Sequence, residues 1–332
     1  MVPTKPFQID PTAVPGRGRG SFVIAARSGL YILLVLVVVF GAGVYSFRKH
    51  GIFSCTASGY ASDAYLGYCG ATSYGDYDHG AIWFGLEPAA NDAAANAQVL
   101  FIGNSRVQFG LSTKATADWF SSLSTSYYLL GFSHLENYTF EAPLLQKLRP
   151  KAKVYVINID SFFERAETGP GKTAMRDESA KTRYEQKRQW QRIHKAICTR
   201  FEAVCGHEAA IFRSRPAGTW VELGGQFTSE PVSYDENVDQ KVLASYTALG
   251  NEFLPNLSAD RACTILTVVP TVKTGFGTAK AVAAALGLNL VAPRPPGLIT
   301  FDHLHLNPES AQRWSTAFLE EAGPQIQTCL AD

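Results

Sequence analysis

Residues 28–47 (SGLYILLVLVVVFGAGVYSF) carry no charged side chain, and their centre is almost entirely Leu, Val and Ile. About twenty apolar residues, at roughly 1.5 Å of helix per residue, reach across the hydrocarbon core of a bilayer. The run is too long and too uniformly apolar for a core helix, which shows a polar face. A cleaved signal peptide has an apolar stretch of only about 7–15 residues followed by a small-residue cleavage site, and no convincing A-x-A pattern follows here. The segment predicts a retained single span, with the lipid bilayer as its partner through residues 28–47.

Flanking charge orients this span weakly. Lys5, Arg17, Arg19 and Arg27 precede it, and Arg48 and Lys49 follow it. The cysteines decide. Cys55, Cys69, Cys198, Cys205, Cys263 and Cys329 all lie beyond the span, an even number with two pairs close in sequence. That suits disulfides in an oxidising compartment. No CxxC occurs and the spacings fit no zinc pattern. The pattern predicts Cys55–Cys69 and Cys198–Cys205 as local pairs and leaves Cys263–Cys329. The expected topology is a cytoplasmic N-terminus and a periplasmic or extracellular C-terminal domain. Thirty Lys+Arg against twenty-nine Asp+Glu leave a formal charge of +1, so the chain has no dominant positive field for nucleic acid. Aromatic residues at 12% argue against widespread disorder.

The chain divides by texture. Residues 1–27, with PGRGRG, read as a flexible cytoplasmic tail, and residues 48–97, rich in Gly, Ala, Ser and Tyr, as a neck or linker. From residue 98 short apolar runs alternate with helical stretches: 98–103, 127–130, 153–159, 263–269 and 288–292. Continuous apolar runs of this length, bounded by Gly, Pro and Asn, are buried strands. A helix is expected over 235–254, where Val238, Val242, Tyr246, Leu249 and Phe253 recur at helical spacing. Strand–helix alternation predicts a doubly wound α/β sandwich around a mostly parallel five-stranded sheet, formed by 98–163 and 216–330. Residues 164–215 interrupt it. They hold twelve Lys/Arg against seven Asp/Glu, a local +5, and read as a mostly helical insertion. This insertion is either a solvated helical surface or a basic lid for an anionic substrate, headgroup or partner.

The strongest chemical signal is Gly103-Asn104-Ser105, where a buried strand ends and a helix should open. Ligands of doubly wound sheets bind beyond the carboxyl ends of the strands, so Ser105 faces the crevice. A serine nucleophile needs a base, and the base needs an orienting carboxylate. Asp302 and His305, three apart before the last helix, supply both from one loop. His303-x-His305 as a metal pair lacks further ligands nearby. GPGKT at 169–173 lacks the first glycine of a phosphate loop, and GFG at 275–277 lacks the third glycine of a dinucleotide turn.

In these blocks the chain resembles the SGNH (GDSL-type) hydrolases over roughly residues 98–325. Gly103-Asn104-Ser105 is similar to the family's GDS block, Gly131 to its glycine after the second strand, and Asp302-x-x-His305 to its final D-x-x-H block. The resemblance implies a SGNH/flavodoxin-like sandwich with Ser105 as nucleophile, His305 as base and Asp302 as its orienter. It also implies an oxyanion hole built from the N–H groups of Ser105 and Gly131 and a donor in the third block. There the family's G-x-N-D is replaced by Asn158-Ile159-Asp160-Ser161. By register Asp160 takes the donor's place; Asn158 serves if the turn shifts. A charged carboxylate would oppose an oxyanion, whereas a protonated one would donate to it.

The resemblance extends to membrane-tethered bacterial proteins that add or remove acyl groups on envelope polysaccharides. It implies a serine esterase or O-acyltransferase with an acyl-enzyme intermediate and a carbohydrate substrate, acting beside a multispan acyltransferase or polysaccharide machinery. No cofactor or metal is called for. The rival reading is a catalytically weak or inactive SGNH-like scaffold in a membrane complex.

Overall fold

The computed structural model describes residues 20–49, 51–61, 63–70, 74–223 and 228–331. It separates into two compact units, one ending at Ser46 and one beginning at Phe47. The first is helical, part of α1 (Gly20–Lys49). Residues 29–49 of this helix are long and apolar enough to cross a membrane, with a mean hydropathy of 2.4. The helix starts eight residues before the expected span, so the proposed tail ends earlier than 27; residues 1–19 lie outside the described residues.

The second unit is a mixed α/β domain. The five apolar runs form β1 (Val99–Asn104), β2 (Tyr127–Phe132), β3 (Val154–Asn158), β4 (Thr264–Thr267) and β5 (Asn289–Leu290). All pair in parallel, in the order β5-β4-β3-β1-β2. Successive residues point to opposite faces. Val99 and Phe101 enter one core, and Leu100 and Ile102 the other. Burial on both faces is why these strands read as unbroken apolar runs.

Helices cover both faces: α2 (Ser105–Leu111), α3 (Tyr138–Leu148), α5 (Gln240–Phe253), α6 (Phe276–Leu286) and α7 (Pro308–Ala331); α4 (Ala180–Cys198) packs instead on Gly51–Ser54 and the helix Asp78–Trp83. Val107, Leu111, Trp314 and Phe318 of α2 and α7 pack on the Phe101 face. Phe140, Phe253 and Val282 of α3, α5 and α6 pack on the other. Helix α5 is shorter than the expected 235–254 because Asp239 caps it, its carboxylate accepting from the N–H groups of Lys241 and Val242.

The neck and the insertion depart from their sequence reading. Residues 64–69 pair antiparallel with residues 75–76 and 210–214, and the latter pair with 220–223, giving a second sheet of four strands. The neck is therefore not a linker, and the insertion ends in a strand, with Tyr65 opposite Arg213. Buried charges join this sheet to the outer edge of β2. Arg213, fully buried, donates from Nε to Asp78 (3.0 Å) and from its guanidinium to the carbonyls of Leu129 (2.9 Å) and Gly131. Asp78 also accepts from the Tyr65 hydroxyl (2.7 Å). An edge strand leaves a row of unpaired backbone groups, and here Arg213 and the side-chain amide of Gln108 satisfy them. Beside this pair, His79 bridges Asp76 (2.8 Å) and Glu136 (3.1 Å) with no exposure to solvent.

All six cysteines are paired as expected: Cys55–Cys69, Cys198–Cys205 and Cys263–Cys329, with Cα separations of 5.9, 5.8 and 5.7 Å.

Candidate active site

One residue before the end of β1, Gly103 has φ at +141°, a conformation that a side chain would resist. A Cβ there would also stand 3.1 Å from Val107 and 3.2 Å from Asn158. Asn104 then caps α2, its Oδ1 accepting from the Arg106 N–H at 3.0 Å. Ser105 is thus the first residue of a helix, where N–H groups have no intrahelical partner. The order 2-1-3-4-5 reverses between β1 and β3, and Ser105 lies at the carboxyl end of β1 at that switch point.

Ser105 Oγ lies 2.7 Å from His305 Nε2, and His305 Nδ1 lies 2.7 Å from Asp302 Oδ2. The other Asp302 oxygen accepts from the backbone N–H groups of Leu304 (3.1 Å) and His305 (2.8 Å). Burial pushes the Asp302 carboxyl up, but the His305 hydrogen bond and charge and these two N–H donors outweigh it. The net effect holds the group below its ordinary value and ionised. An ionised acceptor at Nδ1 places the imidazole proton there and leaves Nε2 to accept from the serine hydroxyl. Two rings fix the imidazole plane: Phe109, one turn along α2, at 4.5 Å between centroids, and Phe301, stacked at 5.7 Å.

His303 does not join this chain. It has a φ of +71° and turns its Nδ1 to Glu230 at 3.0 Å. Among the described residues one His/Cys cluster has metal-like spacing, His194, Cys198 and Cys205, and its cysteines are disulfide-bonded. GPGKT opens the helix Gly169–Arg176, capped by the Thr168 hydroxyl, and Gly275 of GFG caps α6.

The remaining oxyanion candidates are placed differently. Gly131 lies inside β2, not beyond it. Its carbonyl accepts from Gln108 and Arg213, and Leu129 two residues back gives its N–H to Ala217. Alternate strand residues turn both backbone groups to one side, so the Gly131 N–H faces the outer edge and not Ser105. Asn158 is fully buried and committed: its Nδ2 donates to Asn104 Oδ1 (3.4 Å) and its Oδ1 accepts from the Val269 N–H (3.0 Å). Asp160 accepts from Asn104 Nδ2 through its carbonyl (3.1 Å), while its carboxylate pairs with the Arg106 guanidinium. Of the four candidates, only Ser105 has its N–H at the nucleophile.

Arg106 escaped the sequence reading. Burial lowers its pKa, and the negative charge of Asp302 works against that. The signal was present as a basic residue directly after the serine and an acid where the third-block donor belongs. The pair leaves no lone carboxylate to oppose an oxyanion. Glu222, on the strand Trp220–Leu223, was also missed; burial and the charge of Asp302 push its carboxyl up to about 7.

Two cavities flank the site. One, of about 490 Å³, is lined by Phe109, Trp220, Val221, Phe301 and Leu306, with Glu222 at its wall. The other, of about 430 Å³, starts at Asp160 and Ser161 and carries Glu164, Asp235, Asp239 and Tyr246. The first is largely apolar and is walled by the two rings that flank His305; the second sets four carboxylates, Asp160, Glu164, Asp235 and Asp239, against an apolar wall.

No protein-family model, curated protein or solved structure matches this chain.

Proposed function

We propose that this chain is a membrane-anchored serine esterase or O-acyltransferase of the SGNH type, acting on acyl esters, most simply acetyl esters, of cell-envelope polysaccharide. The observation that carries this reading is the unbroken chain of hydrogen bonds from Ser105 Oγ through His305 to Asp302, at the switch point of a 2-1-3-4-5 sheet. Ser105 attacks the ester carbonyl as His305 takes its proton, and Asp302 stabilises the imidazolium. His305 returns the proton to the departing alkoxide, leaving an acyl-enzyme. Water or a sugar hydroxyl, deprotonated by His305, then attacks the acyl carbon, the bond to Ser105 Oγ breaks, and His305 returns the proton to the serine oxygen. The apolar cavity beside Phe109 suits the acyl group, and the acidic cavity beyond Asp160 suits a polyhydroxylated acceptor.

The apolar helix is the proposed anchor, with the N-terminus cytoplasmic and the domain periplasmic or extracellular. The three disulfides support that side, since they persist in oxidising compartments. The acyl donor is a multispan membrane acyltransferase or related polysaccharide machinery.

One observation favours the second reading, a weakly active or inactive SGNH-like scaffold. Gly131 points away from Ser105 and Asn158 is engaged elsewhere, so two expected oxyanion donors are missing. Each such donor is worth about 10²–10³ in rate. The test is turnover of a small acetyl ester, and acetyl transfer to an oligosaccharide, by the purified full chain and by Ser105→Ala. Turnover that disappears in Ser105→Ala supports the enzyme; no turnover by the wild type supports the scaffold.

A further inference from the structure

Helix α4 carries Arg188, Gln191, Arg192 and Lys195 at a spacing that puts them on one face. Gln191 anchors that face. Its Nε2 donates to the Leu66 carbonyl and the Tyr74 hydroxyl, both at 2.5 Å, and its Oε1 accepts from the Leu66 N–H at 3.3 Å. Three residues on, His194 Nε2 donates to the Cys55 carbonyl (3.2 Å), which leaves Nδ1 to accept from the Tyr60 hydroxyl (3.0 Å). Burial pushes the His194 pKa down to about 4 and keeps this ring neutral. The helix, Tyr60 and residues 64–69 are thus tied into one preformed wall.

That wall bounds a cleft of about 140 Å³ whose charged lining is Glu87, Arg188, Arg192, Lys195 and Arg215. The signs are unbalanced. Glu87 is buried and already matched: its Oε2 lies 2.8 Å from both Nε and Nη2 of Arg215, and its Oε1 accepts from the Tyr77 hydroxyl at 3.1 Å. Arg188, Arg192 and Lys195 have no carboxylate partner among the described residues. Arg192 reaches only Gln189 Oε1, at 3.4 Å, and Lys195 lies over the Tyr60 ring at 5.6 Å. Elsewhere on the same helix Arg183 is paired with Asp177. Like charges gathered in a concave site repel one another and focus a positive potential on it. At about 30 Å³ per water the cleft holds roughly four or five waters, room for one tetrahedral oxyanion. Guanidinium forks match the oxygens of such an ion in pairs, and an ammonium adds a point charge.

We propose that this cleft binds one phosphate dianion, free in solution or carried as a phosphomonoester on a sugar. Arg188 and Arg192 grip its oxygens through their forked N–H groups, and Lys195 supplies the third charge from above the Tyr60 ring. Arg215, held by Glu87, forms a fixed part of the wall. Three unopposed cations favour a dianion over the single charge of a carboxylate. None of these residues belongs to the Ser105 site, so the cleft can fill whether or not Ser105 acts on esters. An anionic ligand is one of the uses that the basic segment 164–215 leaves open.

The test is calorimetric titration of the purified full chain with inorganic phosphate, glucose 6-phosphate and glucuronate at about pH 8, where a phosphomonoester is dianionic. Phosphate should bind saturably, one per chain, more tightly than glucuronate and more weakly at high salt. Changing Arg188→Gln and Arg192→Gln together should weaken binding by about tenfold or more. Arg183→Gln, which removes a paired charge from the same helix outside the cleft, should leave binding unchanged. The doubly changed chain loses no carboxylate partner, so its thermal midpoint without phosphate should not fall. The rise in midpoint that phosphate gives the wild type should vanish in it. Tighter binding of glucose 6-phosphate than of inorganic phosphate assigns the site to a sugar-borne phosphate; equal or weaker binding assigns it to the free ion. Absence of saturable binding, equal affinity for glucuronate, or an equal loss in Arg183→Gln overturns the proposal.

Discussion

The parallel sheet β1–β5 and the antiparallel sheet made by residues 64–69, 75–76, 210–214 and 220–223 share one unit but use charge differently. At the carboxyl ends of the parallel strands the charged groups are partly open to solvent: Asp302 keeps 34% of its side chain exposed and Asp160 28%. In and beside the antiparallel sheet Arg213 and, on the helix Asp78–Trp83, Asp78 and His79 are closed off, and each has matched partners. Removing one partner from a buried pair leaves an uncompensated charge, whereas a half-exposed one can be hydrated. The first region therefore suits chemistry and the second holds the domain together. Substitutions should separate activity from stability along that line.

The largest expected effect lies in the first region. Alanine at Ser105, His305 or Asp302 should lower acetyl-ester turnover by about 10³–10⁴, with double variants losing little more, because the three groups act as a unit. The thermal midpoint should barely move. A strong midpoint loss in Ser105→Ala would break the division.

The second region should do the reverse. His79→Ala leaves Asp76 and Glu136 buried without their cation, a loss of about 3–5 kcal/mol. Burial works against the His79 imidazolium, but Asp76 and Glu136 outweigh it and raise its pKa to about 10. A folded-state pKa above the unfolded value of 6.5 means that native protein holds the proton more tightly. The stabilisation is therefore complete below about pH 6.5 and is lost as pH rises through about 10. Denaturation midpoints of wild type and His79→Ala should converge across that window, and a constant difference would contradict the assignment.

Asp160→Asn sits between the two regions in effect. It removes the partner of a buried guanidinium, so both stability and turnover should fall, by about 1–3 kcal/mol and a smaller rate factor. Unchanged stability would mean that Arg106 is held elsewhere. The smallest effect is expected at Glu222. Burial and the charge of Asp302 raise its pKa from 4.5 to about 7, so the native state binds this proton more tightly than the unfolded chain. That stabilisation is full below about pH 4.5 and is lost as pH rises through about 7. Glu222→Gln, which cannot ionise, should therefore raise the denaturation midpoint above pH 7 and leave it nearly unchanged at pH 4.5; equal midpoints at every pH would contradict the shift.

The same contrast governs what the sequence discloses. The parallel strands are legible because each is buried on both faces and must be a continuous apolar run, as in residues 98–103. The hydrogen-bonded chain Ser105–His305–Asp302 is legible because each member sits at a strand-to-helix turn or within one loop. The antiparallel sheet is not, because its pairing joins residues about 150 apart, such as Tyr65 and Arg213, through short strands rich in Gly and Tyr. Asp78 and Arg213 look like surface charges until the fold closes them in. The Arg106–Asp160 pair is hidden for the same reason, a partnership across 54 residues between two strand ends.

The central claim is that Ser105 is an activated nucleophile. Its most direct measurement is covalent labelling of the purified full chain with a fluorophosphonate, followed by mapping of the modified peptide. The account predicts one label per chain on Ser105, abolished in Ser105→Ala and strongly slowed in His305→Ala, with Gly103 and Asn104 in the same peptide unmodified. A wild-type chain that stays unlabelled, or a label that persists in Ser105→Ala, would contradict it.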